Sequence, residues 1–339
     1  MSYITNLKID NDTLSFELNN NKNDINISLA NAIRRTIISD IKCYAIDEKN
    51  INFFKNNSIL NSELLKHRLT LIPIISNLEN INYDNLLISC NINNDGENIK
   101  SVYVEDFICK DNENIIENKI IFKYTNILFA KIKYNQELIF EAKLIKNNSE
   151  EGGSFFSTVS QCIYTFKIDK KKVDEIIKDM NEVEKKSFLT QESQRIFEKN
   201  NEGNPKVFQF VIESIGFYDP KYILDIGLNL LIERLNLTKV EFRNKNSKKI
   251  SFIEDEENLD FFKFLIDNEN ETIGNLIQTY LTYDENVYYC GYKIDHPLKK
   301  NILLKIKLNN DNNLENVILL IEKTIDKIVN LLNIFLKEL

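Results

Sequence analysis

The 339-residue chain has no tryptophan, two methionines, two histidines, four prolines and eight glycines. Each shortage narrows what it can be. His67 and His296 stand far apart, and neither has a His-x-x-x-His or Cys-His spacing around it, so no local zinc motif is written here. A hydrogen-bonded structural imidazole is expected for both, and neither a metal nor a cofactor is expected. The five cysteines (Cys43, Cys90, Cys109, Cys162 and Cys290) are odd in number and form no Cys-x-x-Cys pair, which speaks against a disulfide framework. Reduced, partly buried thiols in a cytosol-like compartment fit better. Gly152-Gly153-Ser154 lacks the lysine and the wider spacing of a phosphate-binding loop, and reads as a turn.

Long apolar runs are missing too. No stretch approaches the ~18 residues needed to span a bilayer. Met1-Ser2-Tyr3-Ile4-Thr5 is not the basic-then-apolar start of a secretory signal. Positive charge is short, with 43 Lys and Arg against 51 Asp and Glu and a formal net charge of −8. Such a chain is poorly suited to wrap DNA by itself, because phosphate binding needs clustered cations. A subunit that sits away from the nucleic acid in a larger machine remains compatible with that balance. Lys170-Lys171-Lys172 and Lys185-Lys186 are surrounded by acids and read as solvated faces. The adjacent Asp47 and Glu48 point to opposite sides of a strand and cannot converge on one substrate atom. No nucleophile, base or metal constellation comes together, so the chain is expected not to be an enzyme.

What the chain does have is 43% apolar residues, enough for more than one core. Its length suits about two domains. Asn, Ile and Lys are abundant, as in an A/T-rich gene, and the Asn-rich tracts at 19–23, 91–94 and 309–313 read as loops shaped by that bias. One short frame recurs. Ser28-Leu29-Ala30-Asn31-Ala32-Ile33 near the start is echoed by Thr272-Ile273-Gly274-Asn275-Leu276-Ile277 near the end.

Around both copies the pattern is similar. Residues 3–18 alternate as a hairpin broken at Asn11-Asp12, and 28–39 read as a helix capped by Ser28. Leu29, Ala32, Ile33, Thr36 and Ile37 form one mostly apolar stripe on that helix. Near the end, 261–266 reads as a strand. A helix from Thr272 carries Ile273, Leu276, Ile277, Tyr280 and Leu281 at the same spacing. Strands at 287–294 and 301–307 and a long apolar-faced helix at about 313–338 follow.

Between these ends, 41–54 looks extended and 62–69 reads as a short helix capped by Ser62. Short strands are expected at 86–88, 102–104, 120–122 and 138–140, then at 159–168 and 207–214. A charged surface stretch spans 170–199, and Pro220 opens a helix to about Leu235. Helix faces this apolar cannot be left in water. Two copies in one chain can bury each other about a pseudo-two-fold axis, and a short linker makes that pairing intramolecular. Leu29, Ala32, Ile33, Ile37, Ile273, Leu276, Ile277 and Tyr280 are the expected lobe-pairing residues. Arg34 and Arg35 are two of only six arginines. Their planar guanidinium groups suit a protein-facing clamp better than ammonium would, against the simpler reading of a soluble helix face.

Ser28 to Arg35, Ala45-Ile46-Asp47-Glu48, His67-Arg68-Leu69, Leu71-Ile72-Pro73 and Val211 to Gly216 together resemble the larger α-like subunit of multisubunit DNA-directed RNA polymerases. Glu269 to Leu276 and Gly291-Tyr292-Lys293-Ile294-Asp295-His296-Pro297-Leu298 resemble its smaller α-like partner. The likeness covers nearly the whole chain, and the two motif sets stand in the right order. There are departures. Glu271 stands where the family usually has His, and Thr70 where it has Gly. Gly153 to Ser160 lacks the family loop's His, Trp and Pro. The zinc-binding cysteines of some larger subunits are absent, so no metal carries over.

A fused form of this kind resembles the arrangement in nucleocytoplasmic large DNA viruses. The resemblance implies an α+β fold with two α-like dimerisation lobes paired within one chain. Residues 1–43 and 157–245 would form the first lobe, 44–156 an inserted β-rich domain, 246–249 a linker and 250–339 the second lobe. It further implies a non-catalytic assembly platform in transcription. That platform would dock the largest and second-largest polymerase subunits and a small assembly subunit, and reach DNA and RNA only through the complex. No membrane and no small-molecule substrate are expected as partners. Arg34, Arg35, His67 and Arg68 are the expected partner-docking residues. The alternative is a stand-alone α-like scaffold that binds a transcription regulator. The expected location is the host cytoplasm and virion for a viral protein, and the nucleus for a cellular one.

Overall fold

Alternation of apolar and polar residues builds the first hairpin. β1 (Ile4–Asp10) pairs antiparallel with β2 (Thr13–Asn19), and Leu14, Phe16 and Leu18 are buried on one face. The turn between them places Asn11 at φ +49°, a left-handed conformation that Asn tolerates. α1 (Ile27–Ser39) follows, with Leu29, Ala32, Ile33, Thr36 and Ile37 buried. Its cap is Asn26, whose side chain accepts from the Leu29 N–H at 2.9 Å, and not Ser28. Both residues have capping chemistry; the earlier one wins and Ser28 becomes a buried residue of the first turn. The computed structural model describes all residues except 1, 21, 79–80, 113, 245–246, 255–260, 297 and 311–312. Asn246 of the expected linker and Pro297 lie outside the described residues, as does part of the Asn-rich tract at 309–313.

A long excursion leaves the first lobe after α1. It comprises β3 (Cys43–Asn56), α2 (Ser62–Thr70), β4 (Leu86–Asn94), β5 (Lys100–Tyr103), β6 (Ile108–Asp111), β7 (Asn114–Ile116), α3 (Asn118–Ile121), β8 (Leu128–Ile132), β9 (Gln136–Asn147) and α4 (Ser149–Gly152). Five of the strands form a sheet in the order β3-β9-β4-β6-β7, and β5 pairs with β8. This unit has its own core, in which Phe107, Phe122, Phe129 and Phe140 meet mostly edge-to-face.

Three local expectations fail here. The Asn-rich tract at 91–94, read as a loop, is the end of β4 and pairs with β9. Ile120-Ile121-Phe122 is not a strand, because α3 ends at Ile121 and only Phe122 makes an isolated bridge, to Ile74. An apolar triplet without alternation does not distinguish strand from helical turn. Asn61, not Ser62, caps α2.

The chain then returns to complete the first lobe with β10 (Val159–Phe166), α5 (Lys170–Ile177), α6 (Glu182–Gln191), β11 (Val207–Ser214) and α7 (Pro220–Arg243). The strand order is β1-β2-β11-β10. Lys123 and Tyr124 of the excursion hold Asp12 in the hairpin turn. Gly216, at φ +121°, lies beneath them: a β-carbon there would come within 3.1 Å of Lys123. α7 runs past the expected end near Leu235 to Arg243, since Thr238 and Phe242 continue its buried stripe.

The second lobe contains β12 (Ile250–Glu254), β13 (Phe262–Asp267), α8 (Glu271–Thr282), β14 (Val287–Lys293), β15 (Asn301–Leu308) and α9 (Leu314–Glu338). Its sheet order is β12-β13-β15-β14. Numbering each lobe's strands from one to four, both sheets read 1-2-4-3, with one helix after the second strand and one after the fourth. The excursion occupies the place where the second lobe has only the short α8–β14 turn. β12 was not foreseen from the sequence, where its five residues follow a polar, unpatterned stretch.

The helices of the two lobes contribute to one continuous hydrophobic core. Within it α1 and α7 approach closely at Gly227, where a β-carbon would lie 2.6 Å from Ile37 Cγ1. Gly227→Val should therefore force α1 and α7 apart and cost about 1–3 kcal/mol by overpacking. A urea midpoint equal to that of the parent chain would refute this close approach.

Candidate functional site

The buried stripes of the two repeated helices meet. α1 packs against α8, α1 also lies on α7, and α7 lies on α9. The eight expected pairing residues, Leu29, Ala32, Ile33, Ile37, Ile273, Leu276, Ile277 and Tyr280, are all buried in the shared core. Tyr280 also crosses the seam, its Oη donating to the Asp24 carbonyl at 2.7 Å. Burial pushes its phenol above the usual tyrosine range. At the same end of the seam, where Tyr3 donates to the Asp24 carboxylate, Glu338 of α9 accepts from the Tyr3 and Ile4 N–H groups at 2.7 and 2.8 Å. Phe335 packs edge-to-face on Tyr3 there, with ring centroids 5.5 Å apart.

The scarce arginines concentrate at this seam. Arg35 reaches from α1 to α8, its Nε donating to Thr272 Oγ1 at 2.8 Å and its Nη1 lying 3.5 Å from Glu271. Arg34 instead turns back to Asn31 on its own helix, at 3.0 and 2.9 Å. Neighbouring helix positions diverge by about 100°, so the two arginines, expected to act together as a clamp, serve different contacts. Arg243 of α7 forms a two-bond pair with Glu322 of α9, both bonds 2.8 Å. Lys239 pairs with Asp326 one turn along, and Phe242 meets Phe264 edge-to-face at 5.4 Å.

A largely buried ionic cluster is centred on Arg234 of α7. It binds Asp40 at the end of α1 at 2.9 Å and Glu269 just before α8 at 2.8 Å. One guanidinium thus ties together three segments from both lobes. The side chains of Arg234, Asp40 and Glu269 are only 20%, 17% and 14% exposed. Burial raises both carboxyl pKa values despite the arginine, while the two carboxylates hold Arg234 more firmly charged. Two acids share one cation, so pairing does not fully offset the loss of water. Sequence reasoning missed this triad. Its partners are 194 and 35 residues from Arg234, and the available signal was the rarity of arginine in a lysine-rich chain.

Other expected residues lie elsewhere. His67 and Arg68 are exposed on α2, in the excursion rather than beside α1, and Arg68 donates to the Leu128 carbonyl at 2.6 Å. Asp47 and Glu48 fall in a bulged part of β3, where the register shifts between Ile46 and Ile51, so simple alternation does not hold there. All five cysteines are buried and free. Desolvation pushes their thiols up to about 12, which leaves them protonated and poorly nucleophilic at neutral pH.

Two lobes of one topology, paired through their helices, define a tandem dimerisation platform. Residues 23–235 and 262–338 each match the RNA polymerase Rpb3/Rpb11 dimerisation domain, and the chain belongs to that family. Among its relatives, DNA-directed RNA polymerase subunit Rpo3 of Pyrococcus furiosus is 30% identical over 123 residues, 35% of this chain and 43% of the relative. DNA-directed RNA polymerase II subunit rpb11 of Dictyostelium discoideum is 36% identical over 67 residues, 20% of this chain and 56% of the relative. Subunit rpb3 of the same organism is 43% identical over 70 residues, 21% of each chain. The aligned regions therefore span about half the length of the first two relatives or less, and relatives of both α-like kinds are found for the one chain.

The buried triad has a testable sign. Asp40 and Glu269 hold protons more tightly folded than unfolded. Their contribution to stability is therefore greatest below their unfolded pKa values and falls as pH rises through the raised folded ones. Arg234→Met leaves both carboxylates uncompensated and should cost about 3–5 kcal/mol near neutral pH. The deficit should shrink on acidification, because protonated carboxyls need no counter-charge. Equal deficits in urea unfolding at about pH 7 and about pH 5 would refute the assignment.

Proposed function

We propose that the chain is the non-catalytic assembly platform of a multisubunit DNA-directed RNA polymerase, a fused α-like pair that docks the two largest subunits and a small assembly subunit. In this reading residues 1–43 and 157–245 are the larger α-like lobe, 44–156 its inserted domain, 246–249 the linker and 250–339 the smaller partner. Nucleotide chemistry belongs to the docked subunits, and this chain meets DNA and RNA only through them. The carrying observation is the shared 1-2-4-3 strand order with helices in equivalent places, the helices joining in one core. A single polypeptide with two such halves supplies both sides of a dimer interface and leaves their outer surfaces for partners.

Docking is assigned to Arg35 at the seam, to Arg34 on a different face of α1, and to His67 and Arg68 on α2. Arg34→Glu with Arg35→Glu should weaken co-purification with the large subunits while leaving the chain folded. Assembly equal to the parent would overturn that assignment. The pairing has its own measurement. A protease site introduced at Asn246 and cut in the folded protein should yield two fragments that still co-elute. Fragments that separate, each keeping its fold, would end the intramolecular-dimer reading.

A further inference from the structure

Between α1, the start of α8 and β14 lies a small polar cavity of about 120 Å³, lined by Ser28, Asn31, Arg35, Thr272, Asn275 and Tyr292, with Glu271 the one acid in its lining. Ser28 is only 7% exposed, and its hydroxyl has no hydrogen-bond partner. Asn31 uses its carbonyl oxygen for Arg34, whereas Thr279 donates its one hydroxyl proton chiefly to the Asn275 backbone carbonyl at 2.7 Å, the Asn275 side-chain oxygen lying 3.3 Å away. Both amide NH₂ groups remain as donors. Arg35 spends Nε on Thr272 and only a long 3.5 Å contact on Glu271, which is 56% exposed at the rim. The cavity is therefore rich in donors, holds the Arg35 guanidinium and lies at the positive, N-terminal end of α8, an arrangement that favours an anion. A buried donor without a partner costs roughly 1–3 kcal/mol, which a fitting acceptor would remove.

We propose that this cavity receives a carboxylate from a partner subunit. The assignment rests on the platform reading above and gives it a chemical point of attachment. Half the lining comes from each lobe, so the receptor exists only when the lobes are paired. Glu271 competes for Arg35 from the rim and has to swing outward as the partner's carboxylate enters.

The test uses the full chain labelled with ¹⁵N-asparagine. Sodium acetate is titrated against sodium chloride at equal ionic strength, and the Asn31 and Asn275 side-chain amides are followed by NMR. Saturable shifts are expected with acetate, stronger in Glu271→Gln and lost in Asn275→Leu. Ser28→Ala, which removes only the unpartnered hydroxyl, should weaken acetate binding several-fold without loss of fold. Each variant is then mixed with the two largest polymerase subunits, and Asn275→Leu and Ser28→Ala should assemble more weakly than the parent. Absence of saturable shifts means the cavity holds water only and overturns the proposal. Acetate binding combined with unimpaired assembly of both variants makes it a site for free anions and overturns the partner's role. Failure of the parent chain to join the large subunits would instead overturn the platform reading, and the partner assignment with it, whatever acetate does.

Discussion

Burial of the α1 and α8 stripes in the one core that both lobes share is the constraint on which the rest of the molecule depends. Leu29, Ile33 and Ile37 on one side and Ile273, Leu276, Ile277 and Leu281 on the other are each no more than 3% exposed. Full burial of such a side chain contributes about 1.5–3 kcal/mol, so the set outweighs any polar contact at the seam. The ion pairs have a different role. A buried arginine shared by two acids gives little net stability, because desolvation consumes most of the attraction. What Arg234, Arg243 and Arg35 supply is position. Each fixes the rotation or sliding of one helix against another, which a smooth apolar face does not. Stability and register are thus carried by different residues on the same helices.

Covalent linkage changes what the two halves are free to become. In a symmetric dimer one patch must complement itself. Here the patches are different stretches of one chain, and their contact is held at a high effective concentration. The copies have diverged accordingly. Where α1 carries Arg34 and Arg35, the equivalent positions of α8 are Gln278 and Thr279. The excursion from β3 to α4 interrupts the first lobe alone. The shared 1-2-4-3 sheets keep the halves compatible, while the asymmetry gives the pair two unlike outer faces.

The features legible in the sequence were periodic and local. The α1, α8 and α9 stripes, the first hairpin and the alternation of β11 and β15 each show in a few consecutive residues. The errors have specific causes. Ser28 and Ser62 looked like caps, but the preceding segments hold Asn26 and Asn61, which cap equally well one or two positions earlier. Beyond Leu235, Lys239, Glu241 and Arg243 are charged residues that carry no apolar signal of a continuing helix. In the folded protein Lys239 and Arg243 face Asp326 and Glu322 of α9. The Arg234 triad lay beyond any local pattern, since three segments distant in sequence meet only after both lobes have formed. Arg34 and Arg35 stand out by composition, but composition carries no direction, and only the folded helix separates one from the other.

The polar cavity adds a thermodynamic consequence to this geometry. Its lining comes from both α1 and α8, so whatever binds there binds the paired state and not the separated one. Such a ligand stabilises pairing by an amount that grows with its concentration relative to its Kd. Occupancy and lobe pairing are then two readings of one equilibrium, and the coupling is reciprocal. A partner that inserts a carboxylate tightens the seam, and a seam already closed by its apolar stripes presents the receptor preformed. The hydrophobic contact that makes the fold possible is therefore also what assembles the proposed binding site.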